Sequence, residues 1–285
     1  MRGATLARPR NKDSKLKILG TFAKRERSMK KYALAAVCAF AVATLTGAPV
    51  FAQNSEVKEK PPMYSYVGNW AVPRAQWAEM EKNNAADQKI LDKALASGTI
   101  IGYGSDVVLV HEADGATHDD WWSATSIAGV LNVLEQFYQG GGTTVPVLGA
   151  ATKHWDNIWV STYYNWHPGS YKGVYTRVGS YKLKADAPSD AIDALSKSLL
   201  VPFFEKLMAS GAIHEYEVDT QYIHKDNPNM FTMVYIAANA EALDKVDAAL
   251  RDLLKSNPLM GPTFDSMVDF SAHRDDLVRT NATYK

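Results

Sequence analysis

Two stretches of this chain, 113 residues apart, carry nearly the same line. Residues 96–111 read ASGTIIGYGSDVVLVH, and residues 209–224 read ASGAIHEYEVDTQYIH. Without a gap, Ala96/Ala209, Ser97/Ser210, Gly98/Gly211, Ile100/Ile213, Tyr103/Tyr216, Asp106/Asp219 and His111/His224 coincide. Seven of sixteen positions agree, where ordinary residue usage gives about one. A fixed internal period marks one supersecondary unit copied along the chain, so both halves must take the same fold. The duplication constrains architecture and names no reaction.

The N-terminal segment reads as an address rather than as fold. Met29-Lys30-Lys31 precedes an apolar run from Tyr32 to Thr46, broken by Gly47, Ala48 and Pro49. Val50-Phe51-Ala52 then offers the small residues that a signal peptidase requires. The expectation is a secretory signal peptide cut before Gln53, and a periplasmic or secreted protein with no membrane attachment after cleavage. The run falls short of the roughly 20 residues a bilayer span needs. Residues 1–28 hold nine Lys or Arg against Asp13 and Glu26. They read as a long basic leader, or as sequence upstream of a start at Met29 instead of Met1.

Removing residues 1–52 changes the charge. Residues 53–285 carry 20 basic and 29 acidic side chains, a net of −9. Such a surface repels nucleic acid, which is excluded as a partner. Cys38, the only cysteine, lies inside the signal, so the exported part has no disulfide and depends on its apolar core.

Each copy reads as strand, helix, strand, strand, helix, strand. In the first, residues 64–72 form a strand and residues 75–96 a helix, with Trp77, Met80, Ile90, Leu91, Ala94 and Leu95 as its inner stripe. Gly98 ends this helix where a left-handed cap is wanted. Residues 99–111 make a long second strand, Asp114-Gly115 turns it back, and residues 120–127 return. A helix over 128–138 stops at Gly140-Gly141-Gly142, and a short fourth strand falls at 145–151. The second copy opens with Val178-Gly179-Ser180-Tyr181, which answers Val67-Gly68-Asn69-Trp70. Its helix spans 190–210, bent at Pro202, and its hairpin turns at Asn227-Pro228. The return strand MFTMVYIA (230–237) is matched to WWSATSIA (121–128), and a helix follows over 240–255. Thr152-Lys153-His154-Trp155-Asp156 is answered by Ser271-Ala272-His273-Arg274-Asp275, each pair expected to cap a short helix.

The fold class is therefore α+β: two tandem ferredoxin-like βαββαβ repeats, the first over residues 53–168 and the second over 169–285. One such unit leaves a sheet face bare, so the two sheets are expected to face each other in a pseudo-twofold barrel. In element order and duplication, residues 63–280 resemble the dimeric α/β-barrel superfamily in a fused, single-chain form. That superfamily includes NIPSNAP-type proteins, stress-responsive barrel proteins, small antibiotic-biosynthesis monooxygenases and chlorite dismutase. The resemblance implies a small-molecule cavity, or cofactor-free or haem-dependent oxidoreductase chemistry. It carries over no catalytic residue.

Candidate residues come from the duplicated positions. On the second strand, Tyr103 and His111 share one face and Asp106 the other; in the second copy Tyr216 and His224 oppose Glu215, Glu217, Asp219 and Gln221. A polar row inside a sheet needs water or a wet cavity. Asp106 and Asp219 are thus expected to line the space between the sheets, the alternative being a solvated rim. His154 and His273 complete the candidate pocket residues, each two positions from an aspartate (Asp156, Asp275) that suits a local ion pair. The stretch from His111 to Asp120 gathers two imidazoles and four carboxylates, but in no established ligand spacing, so no metal is assigned and the cofactor stays open. The aromatic groups Trp121-Trp122, Trp155, Trp159 and Tyr163-Tyr164-Asn165-Trp166 suit either a flat ligand or plain core. No hydrolase triad order, phosphate loop or zinc signature is present. The functional expectation is small-molecule binding or sensing in an inter-sheet cavity. The alternatives are an oxidoreductase using His111, His224, Tyr103 or Tyr216, or a partner-binding module, with a homo-oligomer open in each case.

Overall fold

The computed structural model describes residues 59–225 and 228–285; the leader and signal-peptide expectations concern residues outside these. The first half runs β1 (Met63–Ala71), α1 (Trp77–Ser97), β2 (Gly102–Val108), β3 (His118–Ala124), α2 (Ile127–Gln139), a single helical turn α3 (Pro146–Gly149) and β4 (Lys153–Trp166). The second runs β5 (Gly169–Lys182), α4 (Ala191–Leu195), a π turn (Ser196–Leu200), α5 (Val201–Ala209), β6 (Ile213–Gln221), β7 (Met230–Ala237), α6 (Ala240–Ser256), α7 (Met260–Met267) and β8 (Arg274–Tyr284). Gly98 closes α1 at φ 77°, its N–H donating to the carbonyls of Ala94 and Leu95. Gly211 repeats that left-handed turn at φ 71° in the second half.

Each half forms a four-stranded antiparallel sheet, β4-β1-β3-β2 and β8-β5-β7-β6. The edges then pair with each other, β2 with β8 and β4 with β6, so eight strands close into one barrel without a free edge. The bare faces of the two sheets become its interior, and the helices cover its outside. Strands β4 and β5 are each 14 residues long, and each turns a corner at a bulge, between Ser161 and Tyr163 and between Lys172 and Val174. Gly173 sits in the second bulge at φ 65°, a conformation glycine adopts without a steric penalty.

Several local expectations are corrected. Residues 145–151 hold the turn α3, because Pro146 is set up for a first helical position. The fourth strand is the aromatic segment that follows, so His154 begins a strand, as does the segment after His273, and neither begins a helix. Strand β2 ends at Val108 and β6 at Gln221, leaving His111 and His224 in exposed loops. The return strands match in a different register: Trp122 lies opposite Tyr103 and Tyr235 opposite Tyr216, so residues 117–124, not 121–128, correspond to 230–237. Pro202 follows directly on the π turn, which accommodates the ladder bond that proline cannot make.

Candidate functional site

Two cavities flank the first sheet, one on each face. The larger, about 580 Å³, lies outside the barrel under the helices of the first half. Strand alternation supplies its floor: Tyr66 and Trp70 from β1, Ser105 from β2, Asp120 and Trp122 from β3. Asp87, Gln88 and Leu91 of α1 and Phe137 of α2 close it from above. Burial, reinforced by the charges of Asp87 and Asp106, pushes Asp120 up to about 8. Burial lifts Asp87 to about 6, against the Asn83 Nδ2 donor 2.8 Å away. Asp120 is therefore a neutral acid at pH 7, able to donate a hydrogen bond. Asn84, also on the lining, keeps its Oδ1 buried without a partner.

A hydrogen-bonded chain links this floor to solvent. His154 Nε2 lies 3.1 Å from Asp156 Oδ1, and the Tyr66 hydroxyl donates to the same oxygen at 2.5 Å. His154 stacks on Trp70 with ring centroids 3.5 Å apart. Burial and the Asp156 acceptor together hold the Tyr66 phenol well above its usual range. The second half repeats the pair: His273 Nε2 is 3.2 Å from Asp275 and stacks on Tyr181 at 4.3 Å. There Arg177 replaces the tyrosine, with Nη2 2.9 Å from Asp275 Oδ2.

The second half serves as an internal control for the cavity. At the same interval of 113 residues, Asp87, Gln88, Ser105 and Asp120 are answered by Leu200, Val201, Val218 and Met233. Leu91 is answered by Phe204, stacked on Tyr216 at 5.1 Å. These side chains fill the equivalent space as a continuous apolar core. One half is solid where the other is hollow and polar.

The smaller cavity, about 280 Å³, is the barrel interior. Asp106, Asp119, Glu215, Glu217 and Asp219 line it. Burial pushes Asp106 up to about 7 and Asp219 up to about 6, and holds Asp119, Glu215 and Glu217 well above the usual carboxylate range. At the positions of Glu215 and Glu217 the first half has Gly102 and Gly104. Built Cβ atoms there would lie 2.4 Å from the rings of Tyr284 and Trp121, which fill that end of the barrel.

These acids set the pH response of the fold. In the unfolded chain each titrates near 4, so between that value and the folded one the native state holds more protons, and stability falls as pH rises. The contribution is complete below about pH 4 and is lost through pH 6 to 8, where Asp219, Asp106 and Asp120 ionise. Each unit of separation is equivalent to about 1.4 kcal/mol per group. The thermal midpoint is expected to be higher at pH 5 than at pH 8, and Asp106→Asn to flatten that slope. A midpoint that climbs with pH would contradict this.

The eight candidate residues do not converge on one pocket. Asp106 and Asp219 enter the interior. Tyr103 lines the outer cavity and donates to Asp92 of α1 at 2.5 Å; Tyr216 sits in the solid core and donates to Glu205 of α5 at 2.7 Å. His154 reaches the cavity floor only through Asp156 and Tyr66, His273 pairs locally, and His111 and His224 lie in loops. Tyr66, Asp87 and Asp120 were not singled out by the sequence. His118, weighed with Asp120 only within the His111–Asp120 stretch, is fully buried beside Trp77, with a ring held down to about 4 by burial and by His111. Among the described residues no group of three or more His, Cys, Asp or Glu has a metal-binding arrangement.

No protein-family model matches this chain, and no curated protein matches it either. Solved structures do. A candidate monooxygenase from Fusobacterium nucleatum superposes with a TM-score of 0.55 at 7% identity, over 79% of this chain and 95% of that one. Another, from Lactobacillus acidophilus, gives 0.52 at 14% identity, over 79% and 97%. A chlorite dismutase variant from Candidatus Nitrospira defluvii gives 0.46 at 11%, over 80% and 93%. These structures share the fold of this chain: an eight-stranded closed barrel built from two ferredoxin-like halves.

Proposed function

We propose that this protein binds a small, flat molecule bearing a hydrogen-bonding oxygen in the outer cavity of its first half. The observation that carries this reading is the exchange of Asp87, Gln88, Ser105 and Asp120 for apolar residues at the matching places of the second half. Hollow, polar lining is costly unless something occupies it, and the aromatic walls Trp70, Trp122 and Phe137 suit a planar ring. Protonated Asp120 is the donor that would meet the oxygen of the ligand. The test is fluorescence titration with 2-naphthol at pH 6.5. Saturable binding is expected, weakened at least tenfold in Asp120→Met, which installs the residue of the second half. Equal binding in the variant would refute the assignment.

A second reading, oxidation of the bound molecule without a cofactor, is supported by the Tyr66–Asp156–His154 chain between cavity floor and surface. Such a chain can carry a proton between the cavity floor and the surface. The candidate monooxygenases with this fold lend it weight by analogy alone. Oxygen uptake in the presence of 2-naphthol, abolished by Tyr66→Phe with binding retained, is the expected sign. Haem does not fit the outer cavity, because no His, Cys or Met lines it and the hydroxyls of its tyrosines, Tyr66, Tyr103 and Tyr171, are committed to Asp156, Asp92 and the His167 carbonyl.

A further inference from the structure

We propose that the barrel interior is a second, separate site, which takes a small organic cation, foremost a linear aliphatic diamine. The chamber is lined by six carboxyls from four strands: Asp106 of β2, Asp119 of β3, Glu215, Glu217 and Asp219 of β6, and Asp276 of β8. Tyr284 of β8 also faces it, while β1, β4, β5 and β7 contribute no titratable group. No Lys, Arg or His lines it. Asp106, Glu215 and Asp219 are respectively 7%, 1% and 3% exposed, and each keeps one carboxyl oxygen that no basic, hydroxyl or amide donor reaches. Thr232 donates to the other oxygen of Asp219 at 3.1 Å, which leaves the free one for an occupant.

Unpaired buried carboxyl oxygens are uncommon and point to a missing partner. The shape favours an elongated cation over a lone metal ion. Glu215, Glu217 and Asp219 alternate along one strand, with Cα atoms about 6.8 Å apart from one to the next, and the Glu217 carboxyl lies within hydrogen-bond reach of both neighbours, so they form a continuous acidic wall as long as a short diamine. The walls add Trp155 and Trp159, whose faces attract ammonium groups. Trp155 is 37% exposed and marks the open end, opposite the end filled by Trp121 and Tyr284.

Burial favours the neutral form of these acids, above all Asp119, Glu215 and Glu217, whereas an ammonium group favours the ionised form, so a bound diamine must expel protons. The test is isothermal titration of 1,4-diaminobutane at pH 8 in phosphate and in Tris, whose ionisation enthalpies differ. Saturable binding with release of about one proton or more per diamine is expected. It should weaken at least tenfold at pH 5, and at least tenfold in the double variant Glu217→Gln, Asp219→Asn. If that variant fails to fold, Asp106→Asn carries the same expectation. Absence of binding at millimolar diamine, or binding without proton release that the variants leave intact, would overturn the proposal. Titration of 2-naphthol on the Glu217→Gln, Asp219→Asn variant should be unchanged, which separates this site from the outer one.

Discussion

Gly104→Ala should cost about 3 kcal/mol of stability, visible as a lowered urea midpoint with an unchanged slope. The added methyl would lie 2.4 Å from the Trp121 ring and 2.8 Å from the backbone oxygen of Asn281, so either the ring or strand β8 must yield. Neither does so freely. Trp121 packs against Tyr284 with ring centroids 5.6 Å apart, and Asn281 belongs to the strand that joins the two halves. At the corresponding place of the second half a glutamate stands without conflict, because Val234 replaces the tryptophan across the ladder. A variant as stable as the parent would show that this end of the barrel has slack.

Truncating matched positions in the two halves should give unequal losses. Phe204→Ala is expected to cost about 4 kcal/mol, since Phe204 is 4% exposed and stacked on Tyr216 within a filled core. Leu91→Ala removes its counterpart, which already borders the outer cavity, and should cost only about 2 kcal/mol. The smaller loss follows because fewer neighbours surround the deleted atoms and water can enter. Equal losses in denaturant titrations would mean that the outer cavity collapses in solution, and the proposed ligand site with it.

Much of this architecture was legible from residues 96–111 and 209–224, because duplication transfers one half's constraints to the other. Strand β7 and helix α6 were read nearly to their ends, since MFTMVYIA and the stripe after Asn239 have plain periodicities. The fourth strand was missed because its aromatic, polar-interrupted line looked like a linker, and only pairing with β1 and β6 makes it a strand. The outer cavity was hidden by a single error of register. With WWSATSIA laid on MFTMVYIA, Asp120 had no partner to be compared with. At the observed interval it faces Met233, and the contrast between hollow and filled halves emerges from sequence alone. What sequence could not decide was whether Asp106 of β2 and the acids of β6 face a closed interior or a solvated rim, because that depends on the closing of the barrel.

The pairing of Gly102 with Tyr284 ties a strand early in the chain to one at its far end. Such late partners make for slow assembly, since long stretches must be ordered before the join rewards them. Until β8 arrives, the edge of β2 stays open and the six interior carboxyls, Asp276 of β8 among them, remain wet and ionised. Closing the seam should therefore take up protons from the medium, and refolding in weakly buffered indicator dye should show alkalinisation in step with the final kinetic phase.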